Sequence, residues 1–141
     1  MSEKQEAAYD LYNSGFNCAQ SVLSAFCEDY GLDAESAMKI AGGMGGGFRS
    51  GEICGAASGA ALVIGLKYGQ NIPGDAVSKS VCSAKTREFI EAFKDANKHL
   101  TCRDLLGYDI SGPEVHDHSL SKAACSQLVK SAVAILEQLG Y

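Results

Sequence analysis

The sequence predicts an all-α fold, a compact bundle of about five main helices interrupted by one glycine-rich loop. Three observations predict it. Apolar residues recur at helical spacing in one segment after another, and these runs begin at good N-cap residues and stop at glycines. The chain has much alanine, no tryptophan and two prolines, Pro73 and Pro113, a composition that favours helix over a β-rich design.

Residues 3–14 place Ala7, Ala8, Leu11 and Tyr12 at helical spacing, and Gly15 supplies a stop. Asn17 is an N-cap for a second helix with Cys18 as its first residue. Its stripe is Val22, Leu23, Ala25 and Phe26, and Gly31 ends it. A shorter helix starts after Asp33 and carries Ala37, Met38, Ile40 and Ala41. Residues 42–51 then hold six glycines in ten, which suits a loop built for close backbone approach and not a helix interior. Cys54 opens a helix of small residues that is apolar nearly all round, so it is expected to be the central, buried one. After a turn around Pro73, Asp75 caps a long helix reaching about residue 100, with a stripe of Val81, Cys82, Phe89, Ile90 and Phe93. Thr101 and Asp104 have a capping-box arrangement around Cys102, opening one short turn to residue 106. Residues 107–113 connect to a last helix over residues 119–139, in which Leu128, Val129, Ala132, Ile135, Leu136 and Leu139 face the core. No internal repeat or low-complexity tail interrupts what reads as a single domain over residues 1–141.

At 141 residues the core is large enough to fold without disulfides. The net charge is −5, from 17 acids against 12 scattered bases, which leaves no electrostatic footprint for nucleic acid. The longest apolar stretch, residues 53–66, is too short and too rich in glycine and alanine for membrane insertion, so a soluble cytoplasmic protein is expected. Thiols are kept reduced there. Six cysteines then point to metal binding, redox chemistry or core packing before disulfides.

None of the cysteines forms a C-x-x-C pair, so any shared site must be assembled by folding. Cys18, Cys54, Cys102 and Cys125 sit where helices are expected to begin, and the positive end of a helix favours a thiolate. Cys27 lies nine residues beyond Cys18 on the same helix, about half a turn away around the axis, so those two cannot share a small site. Cys82 falls on a buried stripe and reads as a small hydrophobe. His99 stands three residues before Cys102, where it could polarise that thiol, and Arg49 and Arg103 flank Cys54 and Cys102 in sequence, where each could offset thiolate charge. His116, Asp117 and His118 could bind a metal but read first as a solvated loop. The glycine loop lacks the G-K-[ST] of a phosphate loop and has no preceding strand, so no nucleotide is expected.

Asn17-Cys18-Ala19-Gln20-Ser21, the glycine run, Glu52-Ile53-Cys54-Gly55-Ala56-Ala57-Ser58-Gly59, Cys102-Arg103-Asp104-Leu105-Leu106-Gly107 and the late Cys125 together resemble the C-GCAxxG-C-C family of redox-active proteins. The resemblance spans about residues 9–139, and its signature cysteines map onto Cys18, Cys54, Cys102 and Cys125. Such proteins are small, soluble and prokaryotic. A related module occurs in split-Soret cytochromes, and the resemblance implies an iron–sulfur centre on the four matching cysteines. The chain has no C-x-x-C-H motif, so no haem is carried over.

Three readings are weighed. The first is a cysteine-ligated centre, a [2Fe–2S] cluster on Cys18, Cys54, Cys102 and Cys125 used for electron transfer with a redox partner protein. Zinc on the same four is less attractive, because the chain has enough core to fold unaided. The second is a dithiol/disulfide oxidoreductase with Cys54 or Cys18 as the nucleophile. The third is a non-catalytic helical scaffold with core cysteines. The small-residue helix would also permit close packing across a homodimer.

Overall fold

The structure, a computed structural model, describes residues 1–110 and 119–141. The expected connection over residues 107–113 lies partly outside the described residues, and His116, Asp117 and His118 lie wholly outside them. Among the described residues the fold is all-α. Its helices are α1 (Glu3–Asn13), α2 (Cys18–Phe26), α3 (Ala34–Ile40), α4 (Gly55–Tyr68), α5 (Ala76–Asn97), α6 (Cys102–Leu106) and α7 (Ser119–Gln138), with α3 and α6 the two short ones. A single antiparallel β-bridge joins Ile53 to Thr101. Among the described residues no helix is long and apolar enough to cross a membrane.

The expected caps set the helix starts. Asn17 accepts from the backbone N–H of Gln20, whose side chain accepts in turn from the Asn17 N–H at 2.9 Å. Asp33, Asp75 and Thr101 each accept from the amide three residues on. Caps of this kind contribute about 1 kcal/mol each. Asn17 and Gln20 also tie α2 to the end of α3. The Asn17 amide donates to the carbonyls of Ala41 and Gly42, and the Gln20 amide donates to Met38.

Helix α4 packs most extensively against α2 and also touches α5 and α7, which makes it the central element. Its buried face is Gly55, Ala56, Ala57, Gly59, Ala60, Val63 and Ile64. Small residues here are a steric requirement. A Cβ on Gly59 would stand 2.7 Å from the Ala19 carbonyl oxygen and 3.1 Å from the Val22 Cβ, and one on Gly55 would stand 3.1 Å from the Cys18 Cβ. Around this pair, Phe26, Phe89, Phe93, Val129, Val133 and Leu136 close the core. Burying each such side chain stabilises the fold by roughly 1.5–3 kcal/mol.

Several sequence expectations need correction. The long helix stops at Asn97, because Lys98 takes a left-handed conformation at φ 74°, so His99 and Leu100 lie beyond it. Val81 and Ile40 are exposed where burial was expected, and so is Ala7. In each case the adjacent residue, Cys82, Ala41 or Ala8, takes the place against the core. Cys54 is the N-cap of α4, one residue before its first turn. The last helix begins at Ser119 as expected, which puts Cys125 in its second turn, less close to a helix start than the other three.

The glycine run is a coil of unusual hand. Gly46, Gly47, Phe48 and Arg49 all have positive φ, at 64°, 65°, 60° and 54°, forming one left-handed turn. Glycine adopts this freely, but Phe48 and Arg49 each incur roughly 1–2 kcal/mol of steric cost. The turn is held by bonds from the Phe48 N–H to Met44 and from the Glu52 N–H to Gly47. A Cβ on Gly47 would lie 2.5 Å from the Glu52 nitrogen and 2.9 Å from the Cys102 Cβ, so this glycine lets the turn lie flat against the start of α6.

Two substitutions within α4 separate packing from helix propensity. Alanine for glycine inside a helix ordinarily stabilises by about 0.5–1 kcal/mol. Gly65→Ala, where nothing lies within 4 Å of the added carbon, is expected to show that gain. Gly59→Ala is expected to lose about 1–3 kcal/mol in urea unfolding, because overpacking against Ala19 outweighs propensity.

Candidate functional site

The fold gathers four of the six cysteines around one cavity. Cys18 comes from the first turn of α2, Cys54 from the cap of α4, Cys102 from the first turn of α6 and Cys125 from α7. The cavity has a volume of about 500 Å³. Local hydrogen bonds hold Cys54 and Cys102 side by side. The Cys54 N–H donates to the Leu100 carbonyl at 2.9 Å and the Cys102 N–H donates to the Glu52 carbonyl at 2.6 Å, on either side of the Ile53–Thr101 bridge. An Arg103–Glu52 ion pair at 2.9 Å closes the same junction from outside. Cys18 reaches Cys54 through the close α2–α4 contact at Gly55.

The two remaining cysteines stay out. Cys27 is fully buried in the core, where its thiol contacts the Ser24 carbonyl, and Cys82 is half-buried on α5 against the core. Neither lines the cavity. His99 is exposed and is not part of the lining either, whereas Arg49 is. Among the described residues, no three His, Cys, Asp or Glu side chains converge closely enough to hold a single metal ion.

Electrostatics inside the cavity departs from the helix-end expectation. The amides of Ala56 and Ala57 do donate to the Cys54 sulfur, yet burial outweighs them and pushes this thiol up to about 12. Burial also pushes Cys102 up to about 11, with Cys125 and Asp109 adding to the rise and Arg49 opposing it. Cys18 is raised well above the ordinary thiol range, first by its hydrogen bond to Cys125 and then by burial. Cys125 goes the other way. Hydrogen bonds from Cys18 and Tyr12 hold its thiolate and bring it down to about 7 against the cost of burial.

Tyr12 is the residue that sequence reasoning missed. It was read as part of the apolar stripe of α1, but its hydroxyl donates to Cys125 and its own ionisation is strongly suppressed by burial and by the neighbouring thiols. A usable signal existed, since a tyrosine on a buried stripe must find a partner for its hydroxyl. The four thiols and this phenol form one electrostatic unit in which each negative charge raises the cost of the next.

This arrangement fixes a pH dependence for the reduced, metal-free protein. The folded-state value of Cys125 is depressed below that of an unfolded thiol, so its contribution is absent at low pH and grows as pH rises through about 7. Cys18, Cys54 and Cys102 are raised, so their contributions are full below the unfolded thiol range and fade above it. Stability against urea, measured across pH at fixed salt, is expected to rise above pH 7 and decline again above about pH 9. A Cys125→Ser variant is expected to lose the rising limb and keep the decline.

A search of the curated proteins and one of the solved structures each find no match to this chain. A family model does match it. The model described as "Putative redox-active protein (C_GCAxxG_C_C)" covers residues 16–139, which includes all four cavity cysteines and every helix from α2 onward. The chain therefore belongs to the C_GCAxxG_C_C family of redox-active proteins.

Proposed function

We propose that the four-cysteine cavity is a redox centre that holds an iron–sulfur cluster, of the [2Fe–2S] type, on Cys18, Cys54, Cys102 and Cys125. The observation that carries this reading is the convergence of four thiols from four separate elements on one cavity, while the other two cysteines are left to the core. Packing does not require that convergence, and ionised thiols so close would repel one another. A cationic centre removes the penalty. A single tetrahedral ion on the same four sulfurs would chiefly serve folding, which a chain with this much core does not need. A cluster of more than one metal distributes its four ligands over a larger volume.

The fit extends to the wall. Gly45, Gly46 and Gly55 line the cavity without side chains, leaving the sulfurs unobstructed. When bound, such a cluster supplies one-electron exchange. The chain's own residues would ligate it, exclude water through burial, and offset its charge with Arg49. Tyr12 would donate to the sulfur of Cys125 and so stabilise negative charge there. A redox partner protein would deliver or accept the electron.

A second reading rests on one specific contact, the hydrogen bond between the thiols of Cys18 and Cys125. In a dithiol oxidoreductase, the Cys125 thiolate would attack a substrate disulfide, forming a mixed disulfide and releasing one substrate thiolate. Cys18, losing its proton to solvent, would then attack the Cys125 sulfur and release the second. Two electrons pass to the substrate and a Cys18–Cys125 disulfide remains. The nucleophile in this version is Cys125 in place of Cys54 or Cys18, because those two thiols are held protonated.

Anaerobic reconstitution with ferrous iron and sulfide separates the two. The cluster reading expects visible charge-transfer absorption with equal iron and sulfide in the wild type. Serine at Cys18, Cys54, Cys102 or Cys125 should lower bound iron at least several-fold, while Cys82→Ser should retain it. Colourless wild-type protein that instead forms a Cys18–Cys125 disulfide with a mild oxidant would overturn the cluster in favour of the dithiol.

A further inference from the structure

The cavity is larger and more varied than four thiols require, and the charged side chains that line it are basic although the chain is acidic, with Asp109 acting on Cys102 from outside the lining. The protein carries 17 acids and 12 bases, yet among the described residues lining the cavity there are two bases, Arg49 and Lys122, and no Asp or Glu. Both cations are solvent-exposed as well as cavity-lining, which puts them at its mouth. Among the described residues neither forms an ion pair; the pairs there are Lys4–Asp29, Lys39–Glu35 and Arg103–Glu52.

Arg49 is also held at some cost. Its backbone sits in the left-handed region at φ 54°, which puts a residue with a Cβ where glycine is favoured. The wall also carries the apolar side chains of Leu105, Ile110 and Leu128, with the exposed Phe16 at the mouth beside the cations. A cavity of about 500 Å³ is within the size range of small-molecule sites. Cations at the entrance and an apolar wall inside complement a small molecule that joins an apolar body to a negative charge, and they repel a cation.

We propose that this cavity is a binding site for a small organic anion of the carboxylate class, recognised by Arg49 and Lys122 and delivered beside the thiols. The inference goes beyond the redox reading by naming the charge class of the ligand held beside the thiols. It needs only that the cavity admit solutes, so it stands or falls separately from the cluster.

Iodoacetate and iodoacetamide form a matched pair of probes, alike in shape and chemistry but differing by one negative charge. Each reduced, metal-free protein is alkylated with either reagent, and the rate at each cysteine is read by peptide mass spectrometry. Cys82, outside the cavity, serves as the internal reference. The iodoacetate-to-iodoacetamide rate ratio at the cavity cysteines is expected to exceed that at Cys82 by about tenfold or more at low salt, and to fall as salt rises. The Arg49→Gln/Lys122→Gln double variant should bring the two ratios together, and Lys122→Gln alone, at an exposed helical position, should remove part of the preference. Lys39→Gln/Lys94→Gln, which makes the same change in net charge away from both the cavity lining and Cys82, should leave the preference intact. Equal ratios in the wild type, a preference that survives the double variant, or cavity cysteines that react with neither reagent would each overturn the proposal.

Discussion

The site depends on how closely α2 and α4 approach. Glycine at positions 55 and 59 lets the backbone of α4 lie against Cys18, Ala19 and Val22, where an added carbon would press on Cys18 at position 55 and collide with the Ala19 carbonyl at position 59. That contact brings the first turn of α2 to the cap of α4 and so puts Cys18 next to Cys54. It also fixes where the other elements must go. The left-handed turn has to pass over the top of the pair, and its own glycines admit Asn17 on one side and Cys102 on the other. The Ile53–Thr101 bridge then aligns Cys102 with Cys54, and α7 closes the cavity with Cys125.

Gathering thiols in this way creates an electrostatic problem that local structure does not solve. The amides at the start of α4 stabilise charge on Cys54, but burial and neighbouring sulfurs cost more, so the thiol stays protonated. Only Cys125, which accepts from both Cys18 and Tyr12, is moved toward the thiolate. The protein alone therefore supports one negative charge in the cavity at neutral pH. Additional cationic charge, from Arg49, Lys122 or a bound centre, is what would let the remaining sulfurs ionise.

Much of this was legible in the sequence because the relevant signals are local. Asn17, Asp33, Asp75 and Thr101 cap the helices they were expected to cap, and the small residues after Cys54 do form the central helix. The glycine run was read as serving close approach, and it does so at Asn17 and Cys102. Its left-handed hand was not legible, because Phe48 and Arg49 oppose that conformation and only the surrounding contacts impose it. The thiol ionisation was misjudged for a related reason. Position at a helix start can be read from caps, whereas burial and the company of other thiols are properties of the assembled cavity. Lys122 belongs to the site through tertiary contact alone, whereas Tyr12 gave the signal of a hydroxyl on a buried stripe without showing that its partner would be Cys125.

The central claim is that the four cavity cysteines act as one ligand set for a centre of more than one metal. X-ray absorption at the iron edge of anaerobically loaded protein tests this most directly, because it reports both the atoms around each iron and the nearest second iron. The account expects an all-sulfur shell of four atoms with a short iron–iron scattering path, both lost in Cys54→Ser. Iron surrounded by oxygen or nitrogen, an isolated iron with no second metal, or a spectrum unchanged by Cys54→Ser would contradict it.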